Sequence, residues 1–165
     1  MNPENIIVAF SFGKKGSGPS ESSRAIARYI AFCLDQVGIH APFTFIIAQW
    51  EVGLALKDLG ISSEAMFFPK DSTYLSTRDV ARSTAELINR KGWQNVRIIT
   101  AAHPDHIKRA LRCMRNCGLI NGGVMVDTSL GYDSTSDEWW VRSRLRFIIR
   151  EFLAAPLYLC RGELF

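Results

Sequence analysis

Two short runs of this chain combine residue types that can do chemistry: Ser76-Thr77-Arg78-Asp79, and His103, His106 and Arg109. An imidazole titrates near neutral pH and can move a proton. A guanidinium three residues further along the same helix can hold a phosphate or carboxylate through paired N–H groups. The first run supplies hydroxyls, a carboxylate and the free amides of a helix start, where anions bind. Its spacing is equally that of a capping box, with the Ser76 hydroxyl on the Asp79 amide and the Asp79 carboxylate reaching back. At about 100° per residue, His106 falls at the edge of the stripe made by Ile107, Ala110, Leu111 and Met114, and Arg109 turns further toward solvent. A His near a helix N-terminus tends to stay neutral, because the helix dipole opposes an added proton. The plain alternative is a surface Arg and a His satisfied by backbone.

A third candidate is the loop Ser11-Phe12-Gly13-Lys14-Lys15-Gly16-Ser17-Gly18-Pro19-Ser20. It has the small residues and the following helix that a phosphate cradle needs, with Ser11, Gly13 and Ser20 as candidate contacts. It fails both familiar fingerprints. Pro19-Ser20 stands where a nucleotide-binding P-loop has Lys and Ser/Thr, and Glu21 stands where the dinucleotide motif has its third Gly. Walker-type ATP hydrolysis and NAD binding are therefore disfavoured. An anion cradle and a flexible loop with a helix cap remain equal readings.

The elements that must position these groups alternate between strand and helix. Asn5–Phe12 reads as a buried first strand. Ser20–Val37 reads as an amphipathic helix with Ile26, Ala27, Ile30, Ala31 and Leu34 on one face, closed by Gly38. A second strand over Pro42–Ala48, a short helix over Glu51–Leu59 ended by Gly60, and a third strand over Ala65–Phe68 follow. Ser76–Lys91 is helical, with Val80, Ala81, Thr84, Leu87 and Ile88 on one face. The β-branched run Val96–Thr100 is the fourth strand. Pro104 suits the first turn of the next helix, and Gly118 stops it. Gly123–Val126 is the fifth strand. A polar loop through Gly131, Tyr132, Asp133 and Ser134 leads to a last helix from about Asp137 to Leu153, terminated by Pro156.

This alternation predicts an α/β fold: a Rossmann-like three-layer α/β/α sandwich with a mainly parallel five-stranded sheet. With strand order 3-2-1-4-5, the ligand crevice opens between the loops after the first and fourth strands, Ser11–Ser20 and Ala101–Pro104. In the last helix, Val141, Leu145, Ile148, Ile149 and Phe152 form a stripe expected to pack on the sheet. Trp139 and Trp140 with Arg142, Arg144, Arg146 and Arg150 carry the competing reading, an aromatic, arginine-rich helix lying on an anionic membrane or a partner, although Glu151 interrupts the basic pattern.

Composition bounds the rest. A chain of 165 residues that is 47% apolar can bury one sizeable core, so residues 1–165 are expected to form a single domain. Its 20 basic and 16 acidic residues give +4, which suits an anionic small molecule and is too mild to argue for nucleic acid. No apolar run approaches the roughly 18 residues of a membrane span, and Met1-Asn2-Pro3-Glu4-Asn5 lacks the basic start of a secretory signal. A cytoplasmic protein without a stable membrane anchor is expected. Cys33, Cys113, Cys117 and Cys160 read as reduced thiols. Cys113 and Cys117, one helical turn apart, lack the further ligands a zinc site needs, so no metal is expected.

The run Asp71-Ser72-Thr73-Tyr74-Leu75-Ser76-Thr77-Arg78-Asp79-Val80-Ala81, then Val96-Arg97-Ile98-Ile99-Thr100, then His106-Ile107-Lys108-Arg109-Ala110-Leu111, resembles the bacterial domain family typified by YdcF, SanA and ElyC. That family's pattern reads Asn-Thr-x-Glu-Asn on a helix start, an apolar strand ending near Thr-Ser, and His-Met-x-Arg-Ala on the next helix. Thr77, His106 and Arg109 match its Thr, His and Arg, and Asp79 stands at its Glu. Arg24 looks like the family Arg on the first helix, and Glu51 like its Glu after the second strand. Ser76 and Val80 replace the two Asn residues, Ala48-Gln49-Trp50 replaces Ser-Gly-Gly, and the glycine-rich end of the first strand reads Ala9-Phe10-Ser11-Phe12-Gly13. The likeness is to a divergent member of the soluble branch.

The resemblance implies a Rossmann-like fold, with binding of S-adenosylmethionine or a related nucleotide in one branch of the family and envelope and lipid-carrier metabolism in its membrane-anchored branches. Two functions follow as expectations. One is a binding protein for a nucleotide-like or phosphorylated metabolite, needing no cofactor. The first loop, Arg24 and Arg109 would take the anion, Gln49 or Glu51 a polar group such as a ribose, and Ser76, Thr77 and His103 the remaining contacts. The other is a hydrolase or group-transfer enzyme acting on a phosphorylated sugar or lipid-linked envelope precursor. There His106 would be the acid/base, oriented by Asp79 or Glu51.

Overall fold

The computed structural model describes residues 2–36, 43–69, 75–93 and 95–160. Val37 and Gly38 at the end of the first expected helix, Pro42 at the start of the second strand, and Asp71 to Tyr74 lie outside the described residues.

Five strands, β1 (Asn5–Ala9), β2 (Thr44–Gln49), β3 (Ala65–Phe67), β4 (Arg97–Ala101) and β5 (Asn121–Met125), form one sheet in the order β3-β2-β1-β4-β5. Every pairing in it is parallel, as right-handed crossovers through helices require. The helices are α1 (Glu21–Gln36), α2 (Trp50–Asp58), α3 (Thr77–Lys91), α4 (Pro104–Asn116) and α5 (Arg144–Cys160). The fold is a Rossmann-like three-layer sandwich.

Strand β1 is central, and its Ile6, Ile7, Val8 and Ala9 are fully buried, because a strand covered on both faces has no polar side to present. Ile7 and Ala9 meet Ile26, Ile30, Val52 and Leu56 of α1 and α2. Ile6 and Val8, on the other face, meet Val80, Leu87, Ala110 and Met114 of α3 and α4. Helix α3 starts on a complete Ser76/Asp79 capping box and stops at Gly92, whose φ of 66° is left-handed. Helix α4 has Pro104 in its first turn and His103 as N-cap. Among the described residues no helix is long and apolar enough to cross a membrane.

Sequence expectations fail at two places, the end of the first strand and the last helix. The first strand ends at Ala9 rather than Phe12, because the Phe12 amide turns to donate to Ser23 Oγ at 3.1 Å, and Gly13 adopts φ 88°. The chain then makes a short hairpin, Lys14–Lys15 against Gly18–Pro19.

The last helix begins at Arg144 instead of Asp137, after an irregular segment and one 3-10 turn over Trp139–Val141, and it continues through Pro156. Proline removes the partner of the Phe152 carbonyl. Pro156 and Phe152 both lie on the exposed side of α5, where water can replace that partner. The expected apolar stripe, apart from Val141, faces outward: Leu145 is 67% exposed, Ile148 54%, Ile149 44% and Phe152 80%. Helix α5 packs instead through Phe147, Glu151 and Tyr158. That face carries Glu151 and Tyr158, which both accept from the largely buried Arg109 and so give its guanidinium partners.

Candidate functional site

The winding of the sheet reverses between β1 and β4, and the chain leaves both strands at the same edge of the sandwich. Ser11, Phe12 and Gly13 follow β1, and His106 and Arg109 stand on the first turns of α4. Together with Glu138, Trp140 and Arg150 they line a cavity of about 20 Å³, room for roughly one water-sized group.

His106 is 4% exposed, and its Nε2 lies 3.3 Å from Thr77 Oγ1. Burial holds its pKa well below the ordinary value, and the neighbouring Arg109 and Arg150 push it further down. The ring is neutral at physiological pH. The same Thr77 hydroxyl accepts from Arg109 Nη2 at 2.9 Å. Thr77, His106 and Arg109 thus form one network.

Arg109 does not turn toward solvent as the helix spacing suggested: its side chain is 12% exposed, because Glu151 and Tyr158 cover its far side. Its Nη1 donates to Glu151 Oε1 at 2.7 Å and to Tyr158 Oη at 2.6 Å, and the guanidinium lies 5.2 Å from the Tyr158 ring centre. Arg150 also donates to Glu151 Oε1 and stacks over Trp140, 5.2 Å from the ring centre. One carboxylate oxygen therefore accepts from two guanidinium groups.

Glu51, the second residue of α2, is 5% exposed, and its Oε2 has no hydrogen-bond partner among the described residues. Burial pushes its pKa up to about 7, against the pull of its own amide, Ser11 and Lys14, with Glu138 adding to the rise. Burial raises Glu138 as well. Gln49 is buried, and its Oε1 accepts from the Ser11 amide at 3.2 Å, fixing the exit from β1.

Other expected contacts have structural duties. Both Asp79 oxygens are committed: Oδ2 accepts from Ser76 Oγ at 2.6 Å and from the Ser76 amide at 3.2 Å, and Oδ1 pairs with Arg82 at 2.6 Å. Burial alone would raise its pKa, but Ser76 and Arg82 prevail and hold it low. Asp79 therefore does not orient His106; the capping reading of Ser76 and Asp79 prevails. Arg24 pairs with Asp58 at 3.0 Å, with both side chains well exposed, and it does not line the cavity. His103 caps α4, its Nδ1 accepting from the Asp105 amide at 3.3 Å. Its ring stacks on Phe12 at 3.9 Å, and burial lowers its pKa despite Asp105 and the Gly131 and Leu130 carbonyls.

The loop expected to cradle an anion is already supplied with carboxylates from its own chain. Ser20 Oγ accepts from the Ser23 amide and donates to the Phe12 carbonyl at 2.8 Å. The Glu21 amide at the start of α1 donates to Asp133 Oδ2 at 2.8 Å, and the Gly16 amide donates to Asp137 Oδ2 at 2.5 Å. Burial would raise Asp133, but the Glu21 amide and the Thr135 hydroxyl and amide overcome it and hold its pKa low. Ser11 and Gly13 remain on the cavity wall; Ser20 does not. Sequence reasoning missed Asp133, Glu138, Glu151 and Tyr158. The one visible signal was Glu151, a lone acid among the arginines of α5.

Among the described residues no group of three or more potential metal ligands is assembled, and Cys33, Cys113 and Cys117 are not in disulfides. Comparison of the chain with protein-family models, with curated proteins and with solved structures gives no match.

Proposed function

We propose that this chain is a small-molecule-binding protein of the Rossmann-like kind. Its ligand carries a phosphate or carboxylate: a nucleotide-like molecule such as S-adenosylmethionine or a relative, or a phosphorylated metabolite. The observation that carries the reading is Arg109, a largely buried guanidinium at the reversal point of the sheet, already holding an oxyanion from Glu151 at 2.7 Å. A ligand anion would take the place of that carboxylate, and Glu51 would accept from a hydroxyl of the ligand with its unpartnered Oε2. The resemblance of Thr77, His106 and Arg109 to the YdcF-like pattern points to the same three residues.

Room for such a ligand requires the Glu138–Tyr158 segment to draw back, since the cavity holds only about 20 Å³. The cytoplasm is the proposed location, which suits cysteines that are not in disulfides, Cys33 and Cys117 among them.

The test is thermal-shift and calorimetric titration of the whole chain with S-adenosylmethionine, ADP and glucose 6-phosphate, repeated on Arg109→Ala. One of these should raise the melting temperature of the parent, and the variant should lose the effect. Stabilisation that survives in Arg109→Ala, or none with any of the three, overturns the proposal.

Catalysis is the second reading: hydrolysis or group transfer on a phosphorylated sugar or lipid-linked envelope precursor, with His106 as acid/base. In its favour is a buried imidazole kept neutral, and so able to take a proton, beside a hydroxyl at 3.3 Å. Turnover of a phosphorylated substrate that is unchanged in His106→Ala would remove it.

A further inference from the structure

We infer that the outward face of α5 docks on an anionic phospholipid surface. The helix is divided along its length. Phe147, Glu151, Ala154 and Tyr158 follow the spacing of one helical face and are buried or half-buried toward the body. Leu145, Ile148, Ile149, Phe152, Leu153 and Leu157 follow the opposite face, and each is between 44% and 80% exposed. From Leu145 to Leu157, at about 1.5 Å per residue, the stripe is roughly 18 Å long. A contiguous stripe of this kind is unlike the scattered exposed leucines of an ordinary surface.

Charge decides the occupant. Arg144 and Arg146 lie about 100° to either side of Leu145, so one guanidinium borders the stripe on each edge. Both are exposed; Arg144 lies 3.5 Å from Asp105 with 72% of its side chain accessible, a weak hold. The only acid among residues 144–160 is Glu151, and it is turned inward onto Arg109 and Arg150. A second copy of this chain, meeting the stripe face to face, would bring two such arginine pairs together with no acid from α5 to receive them, Glu151 being turned inward and Asp105 lying beside its own Arg144. A bilayer rich in anionic lipid supplies phosphates at the level of the arginines and acyl chains beneath the leucines.

The experiment is co-sedimentation of the full chain with vesicles of phosphatidylcholine and phosphatidylglycerol at 3:1, and with pure phosphatidylcholine, at low salt and in 0.5 M salt. Binding is expected to the anionic vesicles, falling at high salt. Arg144→Glu and Arg146→Glu should each weaken it about fivefold or more. Phe152→Ser with Leu153→Ser should weaken it at least tenfold while leaving the melting temperature within a few degrees, since both side chains are mostly exposed. Absence of binding to the anionic vesicles, or binding unchanged in the serine double variant, overturns the inference. So does a dimer, seen by sedimentation velocity, that the same double variant dissolves.

Discussion

Glu151 and Arg109 meet 42 residues apart in sequence, with Oε1 2.7 Å from Nη1 and side-chain exposures of 27% and 12%. The chain thereby places its own carboxylate on the guanidinium best situated to hold a ligand. Two more carboxylates repeat the arrangement at the start of α1 and on the loop before it, Asp133 on the Glu21 amide and Asp137 on the Gly16 amide. All three come from the segment after β5, so the anion-seeking groups of this edge are satisfied from within.

Glu151→Gln tests that relationship. The amide keeps one acceptor for Arg109 but removes the charge that Arg109 and Arg150 share. Urea unfolding should show a loss of about 1–3 kcal/mol without ligand. Any anion that binds through Arg109 should bind the variant more tightly, because its internal competitor is weakened. Weaker binding to Glu151→Gln, read by calorimetry, would place Glu151 among the ligand's own contacts instead.

Asp133 predicts how the fold responds to acid. Its folded pKa is depressed, while an unfolded Asp titrates at about 3.9. As pH falls, the unfolded chain takes up that proton first. The stabilisation is complete above the unfolded pKa and is lost as pH drops through the folded one. Asp133→Asn keeps one acceptor oxygen, so the variant should be about 1–2 kcal/mol less stable at pH 7. The gap between variant and parent should close as pH is lowered toward 2. A gap independent of pH in chemical denaturation would show that the charge contributes nothing.

Glu51 has the opposite sign. Its folded pKa, raised from 4.5 to about 7, means that the unfolded chain gives up the proton first as pH rises. Parent stability should therefore decline from pH 4.5 to 7 through this group and level off above. Glu51→Gln removes the ionisation and should be more stable at pH 8 by on the order of 2 kcal/mol, with little difference at pH 4. Equal stability of the two proteins at pH 8 would contradict a buried, unpartnered carboxyl.

Gly13 and Gly16 separate backbone strain from close approach. Both have positive φ, 88° and 57°. A Cβ on Gly13 would come within 2.6 Å of Val141 Cγ2 and 2.9 Å of Ser136 Oγ, whereas one on Gly16 meets nothing within 4 Å. Gly16→Ala should cost about 1 kcal/mol, from φ alone. Gly13→Ala should cost about 3 kcal/mol, because Val141 must also move. Similar Tm losses for the two variants would mean that the 133–141 segment is not held against the loop.

Beyond an assumed strand order, the alternation of strands and helices and the two helix starts at Ser76 and before Pro104 were legible in the residues themselves. Each depends on contacts within a few positions: a buried β-branched run, a capping box, a proline in a first turn. Thr77, His106 and Arg109 were legible as candidates, but their joining in one network was not, because it takes the packing of α3 against α4. Nor was the outward turn of α5. Its residues allow an apolar seam on either side, and the side that packs carries Glu151 and Tyr158, which give Arg109 its partners. The occupation of the α1 start by Asp133 was equally hidden, because a helix amide accepts any nearby oxyanion and only the folded path after β5 decides which one arrives. Local sequence thus determined where this protein exposes its polar chemistry. Tertiary structure decided what stands there now, because pairings across 42 to 121 residues depend on the closed sheet and leave no periodicity in the chain.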